Sequence, residues 1–308
     1  MVFASIFNDV LGPVMRGPSS SHTAGSYHIA LTAASLLGEP AARAAFVFDP
    51  AGSYAQTYWQ QNADKAFVAG LLGWSLTDSR FGDVLALAGR QGLEAEFRAA
   101  RLPRTDHPNM VRVSLTGVGG KKLEVLAKST GGGTFAVVEV NGRRTAIDGK
   151  TAVRVGNAGT AAPVYHVRKG RPLFSSGAGM VRYARRGRMS LGEAALRYEA
   201  RLLGWTEGEA AAEMGRRWAI MAASVEEGFE PRNVRMSLLR PTAQKILAAE
   251  RRGILPMGGV SARVAARALA VMHASNSGAV VCAAPTGGSA GVIPAVVVTL
   301  DLEKKLPE

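Results

Sequence analysis

The chain has 308 residues, of which 47 % are hydrophobic and 20 % charged, and a formal net charge of +13. That apolar content excludes a disordered chain and suffices for two domains of roughly 150 residues each. Cys282 is the single cysteine, which excludes an internal disulfide framework and any zinc or iron–sulfur site made of this chain's thiolates alone.

No apolar run reaches the ~18 residues of a membrane span. Asn8 and Asp9 interrupt the N-terminal apolar stretch, and no basic segment precedes it, so no signal peptide is expected. The expected setting is a reducing cytoplasm with no membrane partner. The basic residues are scattered, with short clusters at Arg185, Arg186 and Arg188 and at Arg251 and Arg252. No aromatic RNA-binding signature or zinc finger accompanies them. They read as a surface that attracts acidic substrates, and no nucleic-acid partner is expected.

Taken in chain order, the first ~165 residues read as mixed α/β. Arg43–Phe48 ends at Asp49–Pro50 and predicts a buried strand and a turn. Ala63–Trp74 has helical spacing, with Asp64 near the start, where a carboxylate suits the helix dipole. Met110–Leu115 alternates and predicts a strand. Leu123–Ala127 and Phe135–Val140 flank Gly131–Gly133 and predict strand, loop, strand. Beyond Pro172 the pattern is mostly helical. Ser190–Glu193 has capping-box spacing ahead of a helix to about Leu203, and Thr206–Glu209 repeats it ahead of a helix to about Glu227 that ends at Gly228. Thr242–Arg252 and Ala262–Ala274 predict two further helices. The fold class is α+β, with the boundary in the Gly-, Arg- and Pro-rich stretch 142–175.

Three loops concentrate hydrogen-bonding groups. Gly17–Thr23 reads Gly–Pro–Ser–Ser–Ser–His–Thr. With a helix from Ala24 onward, its serines would cap the helix and its free N–H groups would form an anion site. The spacing leaves a second reading open, an N-cap with a satisfied histidine. Lys128–Gly133 is a donor-rich loop whose three glycines allow close backbone approach, or else a flexible hairpin loop. Ala284–Gly291, with the apolar Val292–Thr299 after it, either opens a buried helix near a ligand or is a Gly/Ser linker. The histidines at 22, 28, 107, 166 and 273 lack metal-ligand spacing. No GxSxG elbow, GxGxxG after a strand, or Walker A lysine is present.

At its Gly17–Thr23 motif the sequence resembles the iron–sulfur-dependent L-serine dehydratases (L-serine ammonia-lyases), whose β domain carries GPSSSHT near its N-terminus. Further stretches match in family order. Gly52–Tyr58 resembles GSFAKTY, Asp64–Ala66 with Val68–Gly73 resembles the next part of the family's β domain, and His107–Asn109 resembles an HPN element. Ser129–Gly133 resembles SIGGG, and Ala284–Val296 resembles the α-domain stretch APTNGACGIVPAV. The resemblance implies a β-like α/β domain over 1–160 and a partial α-like helical domain over 172–308. In the family the APTNGACG cysteine ligates a [4Fe-4S] cluster. Ala290 stands at that position, and Cys282, eight residues earlier, does not match it. The remaining cluster cysteines lie in a C-terminal portion of the α domain that has no counterpart here. The family's GHGTD stretch corresponds to Gln60–Asp64, with Gln61 in place of an imidazole.

The resemblance therefore implies a lyase-type subunit acting at Cα and Cβ of an amino acid or related small carboxylate, by elimination or by cluster-free racemisation or epimerisation. It carries no cofactor or metal of its own and is completed by a second chain. The alternatives are a cluster-free homo-oligomeric lyase or isomerase, and a non-catalytic amino-acid-binding regulatory protein. The candidate catalytic residues are His22, Ser20 and Ser21. The candidate substrate-binding residues are Ser19, Thr23, Gln61, Asn62, Ser129, Thr130, Gly131, Gly132, Thr286 and Ser289, with the Gly133 backbone beside them. Gln61 can bind a ligand but cannot act as a base near neutral pH. His107 and Asn109 read as structural.

Overall fold

The structure, a computed structural model, describes residues 3–236 and 239–304. Strand β1 (Val14–Arg16) precedes a wide helical turn, Ser20–Ala24, that runs into α1 (Gly25–Leu37). Then come β2 (Ala41–Phe48), the short α2 (Ser53–Thr57), α3 (Ala63–Leu71), α4 (Val84–Ala88) and β3 (Glu94–Ala99). Next is a meander made of β4 (Met110–Gly117), β5 (Lys122–Gly131), β6 (Thr134–Val140) and β7 (Arg143–Ile147). The small hairpin β8 (Val153–Val155) and β9 (Gly159–Ala161) leads to α5 (Gly177–Gly187), α6 (Leu191–Leu203), α7 (Glu207–Phe229), α8 (Ala243–Arg251) and α9 (Val260–Asn276). The last elements are β10 (Val280–Cys282) and α10 (Val292–Lys304). The α+β class expected from the sequence is the one observed.

The main sheet has six strands in the order β3-β2-β4-β5-β6-β7. Only β2 and β3 are parallel, because the helices α2 to α4 cross over between them. The other pairs are antiparallel, with Phe46 opposite Val113 and Val113 opposite Val125. Helices α1 and α3 pack against each other, and α1 lies on β5 and β6. The apolar positions of these strands and helices form the core beneath them. Phe46 stacks on Phe97 at 4.8 Å and meets Phe67 at 4.6 Å. Burying each such side chain contributes about 1.5–3 kcal/mol. Helix α3 stops at Leu71, three residues short of the predicted Trp74. Gly73 adopts φ +68° there, and the Trp74 amide turns back to the Ala69 carbonyl.

Both predicted capping boxes are present, Ser190 with Glu193 and Thr206 with Glu209. Helix α7 ends at Phe229, within one residue of the expected stop at Gly228. The role of Gly228 is contact: a Cβ there would fall 1.7 Å from the Ala270 carbonyl oxygen of α9. Helix α10 packs on α9, which buries Ala295 and Thr299 and leaves Val292 and Val296 exposed. The N-terminal segment also belongs to this side of the molecule. Phe7 packs with Ala200, Leu203 and Ala210, and the buried Glu199 carboxylate accepts from the Ile6 amide at 2.8 Å and the Phe7 amide at 3.2 Å. Strand β1 then pairs antiparallel with β10, Val14 opposite Cys282. This pairing delivers residues 17–24 to the seam between sheet and helices.

Candidate active site

The hydroxyl-rich turn is built by its neighbours. A Cβ at Gly17 would lie 2.0 Å from the Ser275 carbonyl oxygen, so only glycine lets the strand leave β1 this close to α9. The Gly17 amide donates to the Ala279 carbonyl, and its own carbonyl accepts from the Asn62 side-chain amide at 3.0 Å. Ser19 caps the turn by accepting from the His22 amide at 3.3 Å. The helical path thus begins at Ser20, one wide turn before α1, and the expected helix start at Ala24 shifts upstream. The Thr23 hydroxyl donates to the Gln61 carbonyl at 3.1 Å.

The His22 ring is ringed by hydroxyls. Nδ1 is 3.2 Å from Ser19 Oγ and 3.1 Å from Ser21 Oγ. Nε2 is 3.1 Å from Thr57 Oγ1 and 3.3 Å from Ser53 Oγ. Tyr54 meets the ring edge-on at 5.1 Å. Burial lowers the His22 pKa to about 4, so the imidazole is neutral at neutral pH and able to accept a proton. Among the described residues no carboxylate hydrogen-bonds to the ring, which agrees with desolvation being the cause of the shift.

All three loops singled out in the sequence meet here. The Ser129 hydroxyl donates to the Ser21 carbonyl at 2.6 Å. A Cβ on Gly132 would lie 3.6 Å from Pro285 Cβ, and one on Gly287 would lie 2.7 Å from the Pro18 carbonyl oxygen. Gly131, Gly132 and Gly133 have φ of +97°, +60° and +78°, a path that side-chain-bearing residues resist. Thr286 and Ser289 sit in the adjoining loop with their hydroxyls 2.7 Å apart. Ser20 and Thr23 are buried beneath the turn. Thr130 is placed differently. Strand alternation sends it to the face opposite Ser129, where it is exposed and bonds Thr134 Oγ1 at 2.7 Å. Gln61 reaches the cluster through its carbonyl, and Asn62 as the left-handed N-cap of α3.

Sequence reasoning missed Ser53 and Thr57 as site residues. They stand four apart, which puts both on one face of α2, and they lie within the motif-like stretch Gly52–Tyr58. The His107–Asn109 element supports them from behind, since the Pro108 carbonyl accepts from the Ser53 amide at 2.8 Å and the Asn109 carbonyl accepts from the Ser129 amide. Around the ring, Ser19, Ser21, Ser53, Thr57, Gln61 and Asn62 are all half-buried. The cluster is therefore a partly open face. A cavity of about 300 Å³ is lined by Gly132 together with His28, Tyr165 and Arg217.

Among the described residues, no group of three or more His, Cys, Asp or Glu side chains is placed to hold a metal ion. Cys282 is buried, and burial pushes its thiol up to about 11.

A protein named "Probable L-serine dehydratase, beta chain" from Bacillus subtilis (strain 168) is 37 % identical over 149 residues, 48 % of this chain and 66 % of that protein. An "L-serine dehydratase, beta chain" from Peptoniphilus asaccharolyticus is 37 % identical over 134 residues, 44 % of this chain. The chain thus spans 66 % and 60 % of the length of these curated relatives. The family described as "Serine dehydratase alpha chain" matches residues 121–307. One polypeptide therefore carries likeness to both chain types, and with the match covering more than half of its residues it belongs to the serine dehydratase alpha chain family.

Proposed function

We propose that this chain is a subunit of an L-serine dehydratase-like lyase acting on a small β-hydroxy amino acid, with residues 1–160 and 172–308 as its two units. The observation that carries the reading is the meeting of the three loops around a neutral, hydroxyl-held His22. Elimination removes a proton from Cα and hydroxide from Cβ, and the resulting aminoacrylate hydrolyses to pyruvate and ammonia. On this chain, Ser19, Ser21, Thr286 and Ser289 would bind and orient the substrate, the buried Ser129 would hold the turn through the Ser21 carbonyl, and His22 would move the proton, a contribution worth about 10²–10⁴-fold. Family members use a [4Fe-4S] cluster, but this chain's donors do not fit one. Its single thiol is buried and protonated, and Ala290 stands where the family places a ligand.

A second chain covering the open face is part of the proposal. The cluster opens to the surface, and Val292 and Val296 remain exposed one turn apart beside the Ala284–Gly291 loop. Co-expression with the chain encoded by the neighbouring reading frame, and then a pyruvate assay on L-serine, tests both points. The expected outcome is a co-purifying complex whose turnover falls at least about 100-fold in His22→Ala. Full activity from a monomeric lone chain would remove the second chain from the account. Ligand binding without turnover in any combination would favour a regulatory amino-acid-binding protein.

A further inference from the structure

The proton inventory around His22 decides which end of a ligand the turn accepts. The Thr57 hydroxyl donates to the Ser53 carbonyl at 2.8 Å, the fourth residue back in α2. A hydroxyl has one proton to give. The close approach of Thr57 Oγ1 to Nε2, 3.1 Å, therefore needs a proton from the ring. Ser53 Oγ lies 3.3 Å from the same nitrogen, and with the ring proton there it accepts alongside Thr57. A neutral imidazole has one N–H, so Nδ1 is left with its lone pair facing Ser19 and Ser21.

Those two hydroxyls are 3.1 Å apart and each lies within reach of Nδ1. One donates to the other, and the other donates to Nδ1. In either direction both protons are used inside the network. Ser19 Oγ also accepts from the His22 amide. What remains on these half-buried side chains is oxygen lone pairs.

We propose that the Ser19 and Ser21 hydroxyls beside His22 form an acceptor face that takes the N–H or O–H end of its ligand, an ammonium or hydroxyl, and turns away a carboxylate. This rests on the reading of the three-loop face as a ligand site. It departs from the anion-binding role that a serine-capped turn suggests by sequence, because a carboxylate brings only lone pairs of its own. Thr57 is the positioning residue, acting through the tautomer of His22.

Histidine-labelled full-length chain, studied by long-range proton–nitrogen NMR with the His22 signals identified by His22→Gln, tests the inference. The expected result is a neutral ring with the proton on Nε2. Thr57→Ser should preserve it, and Thr57→Val should raise the Nδ1–H population about fivefold. Ethanolamine, which lacks a carboxylate, should shift the His22 signals, and propionate, which lacks a donor end, should not. A proton on Nδ1 in the unliganded wild type overturns the inference, as does a response to propionate alone. If no probe and no L-serine shifts the ring, the ligand-site reading fails while an Nε2 proton still upholds the acceptor face.

Discussion

His28 and His22 lie on the same stretch of chain and differ in what surrounds them. Nδ1 of His28 is 2.7 Å from the Gly133 carbonyl oxygen, so it donates to the glycine hairpin. The ring is fully buried, and desolvation lowers its pKa to about 4 despite that bond. In the unfolded chain the same imidazole titrates near its ordinary value of 6.5. The folded state therefore binds fewer protons between pH 6.5 and 4, and stability is lost as the pH falls through that window. His28 alone is worth about 3 kcal/mol across it. His22 adds to the loss, whereas Asp64, raised to about 6 by burial, works in the opposite direction. Urea midpoints between pH 7 and 4.5 should fall for the wild type and fall less steeply for His28→Asn, which keeps a donor toward Gly133.

At the scale of elements, the same substitution type can have opposite signs. Helix propensity predicts that replacing a helical glycine with alanine stabilises, by up to about 1 kcal/mol in a helix interior. At Gly228 the new Cβ would collide with the Ala270 carbonyl of α9, so Gly228→Ala is expected to destabilise by about 3 kcal/mol. Ser190→Ala and Thr206→Ala remove the capping boxes of α6 and α7 and should each cost about 1 kcal/mol. Thermal denaturation separates the cases: each cap loss lowers Tm by about 2–4 °C, and Gly228→Ala by more. The caps were legible in the sequence because Ser–x–x–Glu and Thr–x–x–Glu act within one turn. The role of Gly228 was not, because the atom that requires it lies 42 residues along the chain.

At the scale of the whole molecule, the N-terminal segment joins the two halves. It is held by Glu199 of α6 through the Ile6 and Phe7 amides, by the Arg217 guanidinium donating to the Phe7 carbonyl at 3.0 Å, and by the β1–β10 pairing. Glu199→Ala would leave two inward amides without their acceptor, a loss of about 2–4 kcal/mol. Amide hydrogen exchange should then show protection lost over residues 5–16 while β4 and β5 keep theirs. Because this segment leads directly into Ser19–His22, the proposed lyase turnover should fall with it even though no residue of the three loops is altered.

The sequence by itself determined the α+β class, the strands around the glycine hairpin, both capped helices and the three hydroxyl- and glycine-rich loops. These features rest on alternation, helical spacing, turn residues and short motifs, which act over a few neighbouring residues. Only the tertiary structure decided that the loops meet, that Ser53 and Thr57 hold His22, that Thr130 turns outward, and that residues 3–16 lie with the helices. Those outcomes depend on contacts between segments up to about 270 residues apart, such as Val14 with Cys282. Their energy comes from burial and from hydrogen bonds closed across the seam, which no local pattern encodes.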